Sequence, residues 1–320
     1  MWEQEEKMTA MPIATLTLNP TVDVSYTIPK LVTDQKAHAT STRYDPGGNG
    51  VNVARGLMSL GVQAHACLIT GGEIGKLIMR LLADHAGYLH PVQVDGETRI
   101  NCTLLQEDPP LQYEVDGVGP IVTDEAMAEI SDLFLRSAEN GIGVLTGSIP
   151  PGVHRDVYAK LTRRLREHNA HAVVDAQSSL LQEALPEHPY LIKPNRYELE
   201  LLCGRKLPRI EDVAREAQIL HHEGVEHVCV SLGRDGALFV DDSGTYYARS
   251  PKVDVISTVG AGDSMVAGLI YALSLGQESE DVLRLGVACG SATATTPGTR
   301  IFTEPEARSL MDQISVKKLG

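Results

Sequence analysis

The stretch Ser257-Thr258-Val259-Gly260-Ala261-Gly262-Asp263-Ser264-Met265 (STVGAGDSM) sets two glycines immediately ahead of an aspartate. Upstream, residues 253–256 (VDVI) are rich in β-branched side chains and predict a strand; downstream, residues 264–275 are apolar and predict a helix. The glycines therefore fall where a strand turns into a helix, and Asp263 falls in the first helical turn. Two readings fit that position. An acidic residue in the first turn stabilises a helix by about 1 kcal/mol. Alternatively, bare backbone N–H groups at a helix start cradle a phosphate. An aspartate beside phosphates would be repelled unless it acted on a nucleophile, for instance by taking its proton. The window alone leaves both open.

Composition narrows the class. The 320 residues suffice for one large α/β domain or two smaller ones, and 42% hydrophobic with 22% charged residues is ordinary for a globular chain. Few aromatics with abundant Ala, Val, Leu and Gly suit helices packed on a parallel sheet. The formal net charge of -14 argues against a nucleic-acid or anionic-membrane partner, which needs a basic face. Any anionic substrate must be met by a local cationic cluster. The five cysteines, Cys67, Cys102, Cys203, Cys229 and Cys289, are scattered without a C-x-x-C pair. Free thiols in a reducing compartment are expected. The acidic start MWEQEEKMTA has no apolar segment of a signal peptide, no run is long enough to span a membrane, and a cytoplasmic location is expected.

Along the chain, residues 1–11 read as a disordered extension and residues 12–320 as one domain. From residue 123 onward, strand and helix patterns alternate, which predicts a doubly wound, mainly parallel α/β sheet with helices on both faces. Strand-rich pieces without helices, about 22–44 and 92–119, predict a small β-sheet lid on that domain. His221, His222 and His227 follow no zinc spacing and read as solvent-facing helix histidines.

Several nucleotide and hydrolase motifs fail. A dinucleotide fingerprint requires a third glycine where Met265 stands, and lies near a first strand. TGGEIGKL misplaces the residues of a Walker A loop, and TGSIPPG is no nucleophile elbow. A nicotinamide-dependent oxidoreductase is thereby disfavoured.

What remains is an ordered series: TLNPTVD, PGGNGVNVAR, TRINC, TGSIPPG, VDAQ, KPNRYELE, VSLGRDGALF, STVGAGDSM and PGTR. Over nearly the whole chain, from Pro12 to about Ile301, this series resembles the PfkB branch of the ribokinase-like carbohydrate kinases. The resemblance implies an ATP-dependent sugar kinase requiring Mg²⁺, with K⁺ as a further cation and a homodimer formed through the lid. It implies that Asp263 is the general base, with the N–H groups of Gly260, Ala261 and Gly262 facing the transferred phosphoryl group. Lys193, Asn195, Ser231, Gly233, Gly236 and Thr258 are implied on the nucleotide side.

Asn195 and Glu198 lie three apart, which also describes a helix N-terminus with an acidic third residue. The resemblance makes them a water-mediated Mg²⁺ site. It aligns Ser257, Val259, Thr293, Thr296, Gly298 and Arg300 with a monovalent-cation loop. For the sugar it implies Asp23 and Asn52 on the hydroxyls, with Gly47 and Gly48 allowing close approach. Arg99, Lys36 and Ser148 are implied on the sugar's phosphate, Lys36 reaching across a dimer interface. The chain departs from the family's pattern at VDGVGP (residues 115–120) and at His38. Fructose 6-phosphate is the expected acceptor, with fructose 1-phosphate and tagatose 6-phosphate as alternatives; a non-catalytic sugar sensor of the same fold is disfavoured, since it should have lost Asp263 or Glu198 and both are present.

Overall fold

The computed structural model describes residues 11–319, so the extension expected over residues 1–11 lies outside them apart from Met11. β1 (Ile13–Thr17), β2 (Thr21–Ile28) and β3 (Ser41–Gly47) lead into α1 (Asn49–Ser59), β4 (His65–Gly71), α2 (Gly72–Leu82) and β5 (Tyr88–Val94). β6 (Arg99–Gln106), β7 (Leu111–Val115), α3 (Asp124–Ser137), β8 (Ile142–Thr146), α4 (Val157–Glu167), β9 (His171–Asp175) and α5 (Ser178–Ala184) follow. The remainder is β10 (Leu191–Ile192), α6 (Arg196–Cys203), α7 (Ile210–His222), β11 (His227–Ser231), β12 (Ala237–Asp241), β13 (Gly244–Ala248), α8 (Ala261–Ser274), α9 (Ser279–Ala294), α10 (Glu304–Met311) and β14 (Val316–Leu319).

Ten strands form one sheet in the order β14-β13-β12-β11-β10-β9-β8-β1-β4-β5. It is parallel from β5 to β11 and antiparallel from β11 to β14. β1 and β8 are buried at all five positions each, as parallel strands covered on both faces must be. One apolar layer gathers Leu16, Phe134, Leu161, Leu165, Leu199 and Val213. The other gathers Leu57, Val266, Leu269, Val287 and Phe302. Truncating a fully buried leucine such as Leu57 to alanine would cost about 2–5 kcal/mol.

Sheet order places β1 between β4 and β8, so the crossovers leave it in opposite directions. Such a switch point opens a crevice at the carboxyl ends of the strands. Here Asn19, just after β1, donates through Nδ2 to Ser148 Oγ after β8 at 3.1 Å.

The lid is a second sheet, β3-β2-β6-β7, with β2 parallel to β6 and the outer pairs antiparallel. Its boundary differs from the sequence expectation. Residues 92–94 belong to β5, which pairs in parallel with β4 in the main sheet, so the second lid segment begins at Arg99. Val22 and Val24 of β2 pack with Val51, Leu68, Ile78 and Leu82, which seats the lid on α1 and α2.

The strand expected at residues 253–256 does not form. Val255 and Ile256 are 61% and 63% exposed, and the Ile256 N–H donates to the Ala294 carbonyl at 2.8 Å. β14 already occupies the edge of β13, so this segment does not pair with the strand that precedes it. α5 and β14, which the sequence pattern did not announce, are both short. His222 is exposed at the end of α7 as expected, but the other two histidines differ from expectation. His227 stands on β11 with 13% of its side chain exposed, and burial pushes its pKa down to about 4. His221 is equally covered and lies 3.3 Å from Asp242. All five cysteines are free thiols.

Candidate active site

Gly260 takes a left-handed conformation, φ 77°, and caps α8. This turn delivers Asp263 to the first helical turn, where it is 5% exposed. Its two carboxylate oxygens accept separately, Oδ1 from Asn49 Nδ2 and Oδ2 from Asn52 Nδ2, both at 2.9 Å. Burial pushes the Asp263 pKa up to about 6, and repulsion from Asp175 adds to it, while the two amides and Lys193 oppose. A carboxylate with a pKa near neutrality, fixed by two donors, is suited to accept a proton. Asn49 was not anticipated from sequence, although it stands in PGGNGVNVAR three residues before Asn52.

Lys193 lies beside the same turn. Lys193 Nζ stands 3.4 Å from where a Cβ on Gly262 would lie, an ordinary van der Waals contact that places the ammonium against this turn. Lys193 is 5% exposed and pairs with Asp175 at 3.2 Å. Burial works against its charge, but Asp175 and Glu198 outweigh it and hold its pKa above the ordinary range. Asp175 ends β9 within VDAQ, and its role as the partner of Lys193 was missed in the sequence. Of the three N–H groups expected to face phosphate, that of Ala261 already donates to the Thr258 carbonyl at 3.3 Å. Those of Gly260 and Gly262 make no hydrogen bond among the described residues.

Asn195 and Glu198 form a capping box on α6: Asn195 Oδ1 accepts from the Glu198 N–H and Glu198 Oε2 from the Asn195 N–H, both at 2.8 Å. Gly204, in a left-handed conformation, ends that helix. The helix-capping reading is thus realised. Glu198 Oε1 makes no hydrogen bond among the described residues, and burial pushes the carboxyl above its ordinary range. No group of three or more His, Cys, Asp or Glu that could hold a metal occurs among the described residues. A cation here would therefore complete its shell with water and phosphate oxygens, which suits magnesium.

Ser231 ends β11 beside Asn195, its N–H donating to the Pro194 carbonyl at 3.1 Å. Gly233 and Gly236 shape the turn into β12; a Cβ at Gly236 would meet the Ala248 carbonyl at 1.9 Å. The turn alone therefore accounts for Gly236. Ser257 Oγ donates to the Gly298 carbonyl at 3.0 Å and accepts from the Val259 N–H, joining the two halves of the expected cation loop. Thr293 Oγ1 is taken by Ser264 and Phe302, and Thr296 Oγ1 donates to the Thr293 and Arg300 carbonyls. These hydroxyls are committed within the protein, leaving backbone carbonyls as donors. Neutral carbonyl oxygens suit a monovalent cation. The Arg300 side chain turns to Glu306.

On the lid side, Asp23 is pushed up to about 6 by burial, against the opposing Asn101 side chain and Arg99. Arg99 Nε donates to the Asn19 carbonyl at 3.2 Å, which brings it beside the Asn19–Ser148 pair. Gly48, φ 115°, follows the lid strand β3 and caps α1, lying against Thr17 and Pro20. Lys36 is not brought to this group; it lies in an exposed stretch between β2 and β3.

A family model described as pfkB family carbohydrate kinase matches residues 16–307. The chain belongs to the pfkB family. It is a phosphofructokinase-type sugar kinase, a phosphotransferase acting on a hydroxyl group. The 1-phosphofructokinase of Bacillus subtilis (strain 168) is 35% identical over 308 residues, 96% of this chain and 100% of that one. The ATP-dependent 6-phosphofructokinase isozyme 2 of Escherichia coli (strain K12) is 33% identical, covering 95% of this chain and 99% of the other. The crystal structure of phosphofructokinase-2 from Escherichia coli in complex with potassium superposes with a TM-score of 0.90 at 33% identity, over 95% and 99% of the two chains. The pfkB fold thus matches the expected doubly wound sheet with a small lid sheet. Among the described residues no helix is long and apolar enough to cross a membrane.

Proposed function

We propose that this kinase transfers the γ-phosphoryl group of ATP to the primary hydroxyl at C1 of fructose 6-phosphate, forming fructose 1,6-bisphosphate. The observation that carries the reading is the buried Asp263 carboxylate held by Asn49 and Asn52 at the glycine turn. In this mechanism the hydroxyl oxygen forms its bond to the γ-phosphorus as the bond to the β,γ-bridging oxygen breaks. The hydroxyl proton passes to Asp263, and ADP departs with the bridging oxygen's electron pair. The Gly260 and Gly262 N–H groups and Lys193 face charge that spreads over the transferred group. Asp23 and Asn52 orient the sugar hydroxyls, and Arg99 with Ser148 holds the existing phosphate.

Asn195 and Glu198 would hold Mg²⁺ through water, and the ion would neutralise phosphate charge. The carbonyls around Ser257, Val259, Thr293, Thr296, Gly298 and Arg300 would take K⁺, a reading supported by the potassium complex of the E. coli neighbour. Ile100 of β6 and Leu111, Tyr113 and Val115 of β7 are exposed apolar side chains, and their register places them on one face of the lid sheet. A second copy of the chain covering that lid face gives a homodimer, and sedimentation would show it as a doubled mass.

A second reading, fructose 1-phosphate as acceptor, is favoured by the name of the Bacillus relative. Both acceptors give the same product, because each presents a free primary hydroxyl at the end opposite its phosphate. ADP release with fructose 6-phosphate, fructose 1-phosphate and tagatose 6-phosphate decides among them. The first reading expects kcat/KM to be at least about tenfold higher for fructose 6-phosphate, a difference of about 1.4 kcal/mol. The reverse order supports the second reading. No turnover of any of the three overturns both.

A further inference from the structure

Arg55 of α1 lies behind Asn52, on the side away from Asp263. Its Nη1 donates to Asn52 Oδ1 at 3.2 Å, to the Thr299 carbonyl at 3.1 Å and to the Pro46 carbonyl at 3.4 Å. The guanidinium is thus fixed between the end of β3, the first helix and the loop after α9. We propose that Arg55 is a positioning residue that locks the Asn52 amide so that Nδ2, and never Oδ1, faces Asp263. The proposal rests on Asp263 being the base.

The chemistry is one of donor and acceptor inventory. An asparagine amide can rotate by half a turn and present either atom to a carboxyl group. Nδ2 facing Asp263 favours the ionised form, which only accepts. Oδ1 facing Asp263 would favour the protonated form, which donates. Arginine has five donors and no acceptor, so it can face only Oδ1. Its presence behind the amide therefore selects the rotamer that keeps Asp263 ionised.

Other groups also bear on the two ends of this relay. Asp175 of β9 and Lys193 after β10 act on Asp263, together with Asn49. Asp45 and Arg43 of β3 and Asp23 of β2 act on Arg55, as does Asp263 itself. A direct Coulombic effect of the Arg55 charge on Asp263 must consequently be separated from the effect carried by the amide.

A double-mutant cycle makes that separation. Arg55→Met and Arg55→Lys are each prepared in the wild-type chain and in Asn52→Ala, and kcat is followed against pH with KM for both substrates. In the wild-type chain, Arg55→Met should raise the acid limb of kcat by about one pH unit, the scale of one hydrogen bond to a charged group. KM for ATP should stay within about twofold, since the nucleotide meets the other side of the turn. In Asn52→Ala, the same substitution should move the limb by less than half as much. Arg55→Lys keeps the charge while losing the planar fork, so a smaller shift that vanishes in Asn52→Ala reports the amide alone. This pair also serves where Arg55→Met does not fold. An unmoved limb in folded variants, or equal shifts in both backgrounds, would overturn the proposal. Asp263→Asn measured alongside keeps the premise distinct: if that variant retains activity, the base assignment has failed, independently of Arg55.

Discussion

Gly47 and Asp23 compete for the same space: a Cβ built on Gly47 would lie 2.3 Å from Asp23 Oδ2. The two residues are neighbours across the β2–β3 pair of the lid, where Asp23 pairs with Asp45 and Gly47 with Thr21. The glycine therefore gives the carboxylate its place. Gly47 is absent from the left-handed positions of the chain, so its requirement is one of room and not of backbone conformation. Gly47→Ala should displace Asp23 and raise KM for the sugar phosphate by about tenfold, the equivalent of about 1.4 kcal/mol. KM for ATP should stay nearly constant. A sugar-phosphate KM within twofold of wild type would show that Asp23 does not hold the sugar.

The base assignment makes a sharper demand. Asp263→Asn preserves shape but removes the proton acceptor, and kcat should fall at least about 100-fold. Affinity for ATP, measured by binding and not turnover, should change little. A kcat within a few-fold of wild type would make Asp263 a helix-terminal residue only.

The pH dependence follows from two raised carboxyls. Asp263 and Asp23 are both pushed up to about 6 by burial. Each acts in its ionised form, so activity should rise between about pH 5 and 7 and level off above. The stability effect has the opposite sign. Between about pH 4 and 6 the native state binds more protons than the unfolded chain, so these two groups make the fold less stable as pH rises through that window. Denaturant midpoints measured at pH 5 and pH 7 in wild type and in Asp23→Asn should show the Asp23 part of that loss missing from the variant. Initial rates should place the Asp263 limb in kcat and the Asp23 limb in KM for the sugar.

Much of this arrangement was legible in the sequence, because its parts are local. The start of α6 is announced by Asn195 and Glu198, and Gly260 by its place ahead of an apolar helix. What was not legible depends on distant pairing. Residues 253–256 have the composition of a strand, yet β14, some sixty residues later, holds the edge of β13, the strand that precedes them in the chain. The pattern of β5 does not distinguish pairing with β4 from pairing with the lid. Asp175 becomes a site residue only because β9 and β10 are neighbours in the sheet, which brings Lys193 against it. Asn49 was hidden differently, since an asparagine in a glycine-rich turn already has a local explanation.

Glu198 has two roles that one substitution can separate. Glutamine can still accept from the Asn195 N–H, so Glu198→Gln should leave the capping box and the melting temperature almost unchanged. It removes one negative charge from the proposed Mg²⁺ position, and the Mg²⁺ concentration giving half-maximal rate should rise several-fold. An unchanged Mg²⁺ titration with a lowered melting temperature would leave the cap as its whole role.

The last prediction concerns what meets the sugar's phosphate. Arg99 is half-buried, and among the described residues its guanidinium makes a hydrogen bond only through Nε, to the Asn19 carbonyl. A charge-assisted arginine–phosphate pair is roughly twice as strong as a neutral hydrogen bond. Arg99→Ala should therefore raise KM for the sugar phosphate by about tenfold or more, without moving that for ATP. Lys36 presents a different case, because its own subunit does not carry it to Arg99. If the exposed face of β6 and β7 joins two copies, Lys36 enters the partner's site, and Lys36→Ala should raise the same KM. Mixed dimers then discriminate. A chain carrying Asp263→Asn supplies an intact Lys36 to a partner carrying Lys36→Ala, whose Asp263 is intact. That one composite site should recover the wild-type KM at roughly half the wild-type kcat per dimer. Mixing that restores nothing, with the mixed dimers verified by mass, would place Lys36 outside the site and remove the lid-to-lid arrangement.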